Sequence, residues 1–338
     1  MIQKNKRIAI VILNYNGLNL LKKFLPSVVN FSDEKISSIY VIDNCSTDNS
    51  IPYIKRKFSK VKVICHKKNL GYSSGYNEGL KLIKSDYYIL LNSDVEVSKG
   101  WLGPLFKLME SDKNIAACQP KILSYKNKTK FEYAGAAGGF LDMLGYPFCR
   151  GRIFETIEED RGQYDNNTQI FWASGCCLMI RSEIFHNCKG FDNSFFAHME
   201  EIDLCWRMNN LGYKIFYESK SKIYHQGNQT LDKHNPNKTF LNFRNNLTMI
   251  LKNDTIVNLL WKIPLRILFD FIAFFKFIID KKSINHGISI LRAYFYFILS
   301  FRSNLSKRYK VDQKSFSLSR IIIPIKYYVF NRKKYSDL

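Results

Sequence analysis

The first hundred residues alternate short apolar runs with stretches of helical periodicity, and this pattern constrains the fold more than any other feature of the chain. Ile8 to Leu13, Ile39 to Asp43 and Tyr87 to Asn92 each read as a buried strand, with Val61 to Cys65 a weaker fourth. Between them, Leu18 to Val29, Thr47 to Phe58 and Tyr72 to Ile83 carry apolar residues at helical spacing. Strand, helix, strand, helix implies parallel strands with helices on both faces of the sheet, an α/β fold.

Ligands of such sheets bind beyond the carboxyl ends of the strands. The residues there are Asn14, Tyr15, Asn16, Asp43, Asn44, Asn92, Ser93 and Asp94, polar or acidic after purely apolar strands. The first turn is Asn14-Tyr15-Asn16-Gly17, not the G-x-G-x-x-G of a dinucleotide site, which argues against a nicotinamide enzyme. Asp43 can accept hydrogen bonds from a base or ribose, while Ser46 or Thr47 could cap the next helix or touch ligand. Gly71, Gly75 and Gly79 share one helix face, suited either to helix-to-sheet packing or to close approach of a nucleotide. A carboxylate at Asp94 can hold a divalent cation between phosphates, because magnesium takes few protein ligands and fills its shell with phosphate oxygens and water.

The run from His198 to Arg207 is the richest in titratable groups. Asp203 and Arg207, four apart, are expected to pair along a helix. Glu200 and Glu201 fall in its first turn, where the helix dipole favours carboxylates; one of them aimed into a cleft could instead serve as general base. Adjacent helix positions point about 100° apart, so both cannot aim at one spot.

Residues 131 to 170 are Gly-rich and then acidic, and are expected to form loops and turns over the site. Beyond Thr239 the chain becomes helical, apolar and aromatic. In 256 to 279, Lys262, Arg266 and Asp270 recur every four residues and form one polar stripe. That predicts an amphipathic helix lying in a membrane interface with its basic residues towards the headgroups; the alternative is a helical pair packed on the catalytic domain. The segment Ile284 to Phe301 has only Arg292 inside it and is closer to a membrane span. The formal charge is +22, from 51 Lys and Arg against 29 Asp and Glu, which favours anionic partners. No clustered basic helix or aromatic RNA-binding motif occurs in the first 230 residues, so nucleic acid is not expected among them. Eight cysteines without C-x-x-C spacing read as buried free thiols of a reducing compartment. The first apolar run is too short for a signal peptide, so a cytoplasmic start is expected, on the inner face of the membrane.

Taken in order, the stretches IAIVILNYNG, VIDNCSTDNS, KNLGYSSGYNEG, YYILLNSDV, FWASGCCLMIRSEIF, GFDNSFFAHMEEIDLCWR and IYHQG resemble family 2 glycosyltransferases of the GT-A fold, particularly the bacterial rhamnosyltransferase-like branch. The resemblance covers roughly residues 7 to 250 and implies a mixed Rossmann-like sheet with helices on both faces. It divides the chain into a catalytic domain over 1–238 and a basic helical segment over 239–338. It implies a nucleotide-sugar donor held by Asn14, Tyr15, Asn16, Asp43, Asn69, Gly71, Asn77, Asn92, Ser93 and Asp94. Asp94 matches the last acidic residue of the metal-binding D-x-D motif; Asn92 stands at the first acidic position, a departure from the motif. Glu201 matches the catalytic base, with Glu200 the neighbouring alternative, and His225 a histidine near the diphosphate or metal, Mg2+ or Mn2+. Trp172, Ser174 and Gly175 are expected to line the sugar or acceptor pocket, Trp172 either stacking on a sugar face or sitting in the core. The implied reaction is inverting transfer to a hydroxyl of a glycan or lipid-linked glycan.

Two rival readings remain at this level. A nucleotidyltransferase would need a glycine-rich basic loop after the first strand, where NYNG stands. A non-catalytic nucleotide-binding protein with a membrane tether is compatible with the charge.

Overall fold

The computed structural model describes residues 7–227, 235–280, 283–308 and 318–338. The first four strands are β1 (Ile8–Asn14), β2 (Ser37–Asp43), β3 (Lys62–Cys65) and β4 (Tyr87–Leu91), separated by α1 (Leu18–Phe31), α2 (Ser50–Lys57) and α3 (Gly71–Leu80). They pair in parallel, in the order β4, β1, β2, β3. Alternate residues serve opposite faces, as the period of a strand requires. Ala9 and Val11 enter one apolar cluster with Tyr76 and Leu80 of α3, while Ile8, Ile10 and Ile12 enter the other with Leu21, Leu25 and Val28 of α1. A strand buried on both faces reads as a continuous apolar run, which is why β1 and β4 were legible, while the edge strand β3 gave a weaker signal.

Past β4 the sheet becomes mixed. After β5 (Val95–Val97) and α4 (Leu102–Ser111) come β6 (Ile115–Ser124) and the short strands β7 (Gly139–Leu141), β8 (Pro147–Cys149), β9 (Arg152–Ile153), β10 (Thr156–Ile157) and β11 (Thr168–Ile170). Next are β12 (Cys177–Arg181), α5 (Ser182–Asn187), α6 (Glu200–Asn210) and β13 (Lys214–His225). β12 lies antiparallel between β4 and β6, and β13 runs parallel to β6 and carries β5 and β11 antiparallel. β7 to β10 form a separate four-stranded antiparallel sheet. This corrects the expectation that 131 to 170 are loops and turns. Strands of two or three residues are too short to show a period, and glycines at positive φ, such as Gly145 and Gly151, turn the chain between them.

The remaining chain is helical: α7 (Pro236–Asn253), α8 (Ile256–Ile279), α9 (Ile284–Leu299) and α10 (Phe301–Ser306). Asn235 caps α7 by accepting from the Asn237 N–H at 2.9 Å, and Thr255 caps α8 by accepting from the Asn258 N–H at 3.2 Å. α7 is part of the catalytic core, with Leu247, Met249 and Ile250 in the same apolar cluster as α3 and α6. The polar stripe of α8 points the other way from the expectation. Lys262, Arg266 and Asp270 are buried against the protein, and the apolar side faces outward. The reason lies in partners that only the fold supplies. Lys262 pairs with Asp254. Arg266 donates to Asn246 Oδ1 at 2.6 Å and to the Leu144 carbonyl at 3.1 Å. Asp270 accepts from the hydroxyls of Tyr146 at 2.7 Å and Tyr294 at 2.8 Å. The C-terminal stretch returns to cover the small sheet: Asp142 accepts from the Ile323 N–H at 2.9 Å, and the Met143 N–H donates to the Ile321 carbonyl at 3.0 Å. The eight cysteines are all free thiols. Cys45 and Cys65 are exposed, which corrects the reading of Cys65 as buried: it lies on the edge strand β3.

Candidate active site

Register brings the strand ends to one edge of the sheet. Asn14 lies opposite Asp43, and Ile12 opposite Leu91, so the Asn92-Ser93-Asp94 turn emerges beside them. The Asp43 carboxylate is buried and accepts from Asn14 Nδ2 (2.9 Å), Ser46 Oγ (2.6 Å) and the Ser46 N–H (2.9 Å). Asn16, at φ 50°, gives its N–H to Ser46 Oγ at 2.9 Å and accepts the Thr47 N–H at 2.8 Å. Ser46 and Thr47 therefore tie two strand-end loops together and do not cap a helix. That work falls to Asp48, which accepts from the Ser50 N–H at 3.0 Å and the Leu18 N–H at 2.9 Å. Tyr15 is exposed at the rim. Asn14 Oδ1 is buried with no hydrogen-bond partner among the described residues.

α3 enters the site at its N-terminus. Asn69 Oδ1 accepts the Gly71 N–H at 2.9 Å, and Asn44 Nδ2 donates to the Gly71 carbonyl at 2.8 Å. Gly71 itself has φ +73°, a conformation that disfavours any side chain. The glycine stripe is a packing surface: a Cβ on Gly79 would come within 2.3 Å of Ile42 Cδ1, and one on Gly75 within 3.0 Å of Leu13 Cδ1. Both ends of the Asn77 amide are engaged within the protein. Nδ2 donates to the Phe191 carbonyl and Asn193 Oδ1, both at 2.8 Å, and Oδ1 accepts the Phe191 N–H at 3.0 Å. It braces the segment that leads to α6.

The next group forms where β13 ends. His225 lies opposite Val95 in the β13–β5 ladder, which sets it beside Asp94. Its Nε2 is 3.1 Å from Asp94 Oδ1, and its Nδ1 is 3.1 Å from Glu132 Oε2. All three side chains are nearly buried. Burial opposes charge on His225, but contacts with Cys176 and these two carboxylates outweigh it and hold the imidazole protonated above its ordinary range. Burial likewise pushes Glu132 up, and the imidazole together with the Ala134 and Tyr133 N–H groups brings it below the usual carboxylate range. Glu132 and Cys176 were missed by sequence reasoning. Glu132 sits in the Gly-rich stretch without a motif around it, and no spacing links it to His225.

The third group is the start of α6. His198 and Met199 both adopt φ 70°, a strained turn that aims the first helical turn inward. Burial raises the Glu200 carboxyl well above its ordinary range, with the charge of Glu201 adding to it. Burial raises Glu201 too, against hydrogen bonds from nearby backbone groups including Gly175. One oxygen of each, Oε2, is buried without a hydrogen-bond partner among the described residues. Gly175 leaves room here: a Cβ would lie 3.7 Å from Glu201 Cβ and 2.9 Å from the Tyr72 hydroxyl, which donates to the Gly175 carbonyl at 3.1 Å. The neighbouring Cys176 accepts the Asn92 N–H on its carbonyl at 3.0 Å and touches His225 with its thiol. Gly175-Cys176 is thus the link between the α6 carboxylates and the Asp94–His225 pair. Asp203 and Arg207 pair as expected, at 2.9 Å, and Asp203 also accepts from Lys252 at 2.9 Å and Asn253 at 2.8 Å.

Two of the expected pocket residues are structural. Trp172 is buried, its ring lies flat against Gly139, and its Nε1 donates to the Phe140 carbonyl at 2.9 Å, so it takes the core alternative and not sugar stacking. Ser174 is buried and donates to the Ala134 carbonyl at 2.7 Å, fixing the segment next to Glu132. Among the described residues no group of three or more His, Cys, Asp or Glu side chains is arranged to hold a metal ion by itself. Asp94 and His225 would offer a cation two donors only with the imidazole neutral and its Nε2 turned from Asp94, because a protonated imidazole has no lone pair to give. The rest of the shell would be phosphate oxygens and water.

The mixed nine-stranded sheet with helices on both faces and a C-terminal helical region has the fold of GT-A glycosyltransferases. Residues 9–188 match the glycosyl transferase family 2 model, and the chain belongs to that family. It is 24% identical over 234 residues to the N-acetylglucosaminyl-diphospho-decaprenol L-rhamnosyltransferase of Mycobacterium tuberculosis (strain ATCC 25618 / H37Rv), covering 64% of this chain and 75% of that one. It is 25% identical to rhamnosyltransferase WbbL of Escherichia coli (strain K12) over 68% of this chain and 85% of that one. In fold it is similar to the crystal structure of GalNAc-T7 with UDP, GalNAc and Mn2+, with a TM-score of 0.58 and 17% identity over 74% of this chain. The match spans 48% of that structure, about half its length.

Proposed function

We propose that this glycosyltransferase moves a sugar, with inversion, from a nucleoside diphosphate donor to a hydroxyl of a glycan or lipid-linked glycan in cell-surface polysaccharide synthesis at the inner face of the membrane. dTDP-rhamnose is the favoured donor and UDP-hexoses the next; the names of both relatives support rhamnose, and that of the mycobacterial one a lipid-linked acceptor. The observation that carries the reading is the half-buried Glu201 carboxylate beside the bare Gly175, whose enclosed Oε2 has no hydrogen-bond partner among the described residues.

In this reading Asp43, with Asn14 and Ser46, orients the nucleoside. The acceptor hydroxyl attacks the anomeric carbon from the face opposite the nucleotide, and Glu201 takes its proton. Desolvation raises the proton affinity of that carboxyl above the ordinary carboxylate range, the direction a general base needs. The neighbouring Glu200 carboxyl is itself raised by burial and then by the charge of Glu201. Asp94 and His225 would hold a divalent cation, which when bound neutralises charge on the departing diphosphate. Glu132 fixes the orientation of His225.

The test is a mass-spectrometric screen of nucleotide sugars against the purified protein, with and without Mg2+ or Mn2+. Release of nucleoside diphosphate from one donor, lost in Glu201→Gln, is expected. Turnover of nucleoside triphosphates alone would reject the reading.

A further inference from the structure

α8 is amphipathic in the reverse sense for a helix on a globular protein. Its four buried residues are Leu259, Lys262, Arg266 and Asp270, three of them charged. The opposite half is apolar and open: Val257 and Leu260 are 72% and 74% exposed, and Leu268 and Phe271 55% and 49%. α9 lies alongside and adds exposed Ile288, Phe295, Ile298 and Leu299. Monomeric proteins seldom expose contiguous apolar surface beyond a few hundred Å2. Arg266 is held by Asn246 and the Leu144 carbonyl and Asp270 by the Tyr146 hydroxyl, so α8 cannot roll over without stranding these two charges.

The border of this face is basic. Lys276 sits 4.3 Å over the Tyr328 ring, which joins α8 to the exposed Tyr328, Val329 and Phe330. Exposed Arg332, Lys333 and Lys334 follow directly. No helix among the described residues is long and apolar enough to cross a membrane.

We infer that the α8–α9 face is a docking surface for an anionic bilayer, lying in the plane of the headgroups with its apolar side chains in the acyl boundary. Lys276 and the Arg332 to Lys334 run meet lipid phosphate. The occupant is a bilayer and not a second copy of the chain. Self-association would oppose two basic rims on a chain of formal charge +22, whereas anionic headgroups neutralise them. The surface deepens the reading of a membrane-borne acceptor, yet docking is measured without donor or acceptor, so the two fail separately.

The experiment is flotation of the full chain with phosphatidylcholine vesicles, with and without phosphatidylglycerol, alongside light scattering of the free protein. The protein should float with the anionic vesicles, and less so as salt is raised. The double variant Leu268→Glu, Phe271→Glu should bind vesicles at least about tenfold more weakly, with donor hydrolysis in solution unchanged. Lys276→Glu should weaken binding and flatten its salt dependence. Wild-type protein that stays down with both vesicle types would overturn the inference. So would a double variant that floats like wild type, or a wild-type dimer that the double substitution dissociates. A protein that floats but turns over no nucleotide sugar would sink the transferase reading and leave the docking surface standing.

Discussion

His225 at the end of β13 meets Asp94 at the β4–β5 turn through an Nε2 to Oδ1 contact of 3.1 Å. Glu132 closes the imidazole from its other nitrogen. If this pair anchors the donor diphosphate, Asp94→Asn should lower kcat/KM more than Glu132→Gln. Glu132→Gln should itself cost about 10- to 100-fold, the usual effect of losing the carboxylate behind a ligating histidine. Steady-state kinetics with the identified donor, with circular dichroism to confirm folding, decides this; wild-type rates in both variants would remove the pair from the reaction.

Glu201 and Glu200 should separate by role. Glu201→Gln is expected to lower kcat by about 10²- to 10⁴-fold with donor affinity kept, since only proton transfer is lost. Glu200→Gln should retain much more activity. Equal losses in both would mean that the carboxylates work as one unit.

The same residues set a pH dependence of stability. Both carboxyls are raised above their unfolded values, so each binds its proton more tightly in the folded chain. Their stabilising contribution is complete below about pH 4.3 and is lost as pH rises through the folded values. At neutral pH the buried charges are a burden. Glu200→Gln should therefore melt at a higher temperature than wild type at pH 7.5, with the gap narrowing towards pH 5. Differential scanning fluorimetry across that range reads it, and a variant less stable at pH 7.5 than at pH 5 relative to wild type would contradict the assignment.

Gly79→Ala probes the packing role of the α3 stripe. The added Cβ would fall 2.3 Å from Ile42 Cδ1, on the β2 side of the core. Overpacking of this kind costs about 1–3 kcal/mol. Denaturant unfolding should show that loss, while the folded fraction binds donor normally; weakened donor binding at full stability would restore the nucleotide-contact reading.

Asp203 is expected to matter for folding and not for chemistry. It accepts from Arg207, Lys252 and Asn253, and all of these are buried. Asp203→Ala takes one carboxylate from two buried cations, while Lys252 keeps Asp192 and Arg207 keeps the Cys188 and Gly190 carbonyls, so a loss of about 1–3 kcal/mol is expected. Urea denaturation checks the size, and near-normal stability would show that these remaining partners suffice.

The parallel half of the sheet, from β1 to β4, could be read directly from residues 8 to 92. A strand buried on both faces leaves an unbroken apolar run, and each helix leaves a 3.6-residue period. The polar strand ends were legible for the same reason, because Asn14, Asp43 and Asp94 break that apolarity abruptly. The small sheet of β7 to β10 was not legible, since strands of two or three residues carry no period. Motif resemblance singled out Asn77 and Trp172, yet the Phe191 backbone holds the first and the Gly139-Phe140 backbone the second, contacts remote in sequence. Glu132 had no local signature at all.

What the sequence by itself determined is the order of strands and helices, the chemistry at the strand ends and the amphipathic character of α8, all properties of neighbouring residues. Only the tertiary structure decided which way α8 faces, that Glu132 stands behind His225, and that Gly175-Cys176 joins the α6 carboxylates to Asp94. Those outcomes depend on partners far away along the chain, such as the Leu144 carbonyl for Arg266 and the Tyr146 hydroxyl for Asp270. A buried charge goes where its counter-charge and hydrogen bonds are, and only the folded chain brings them together.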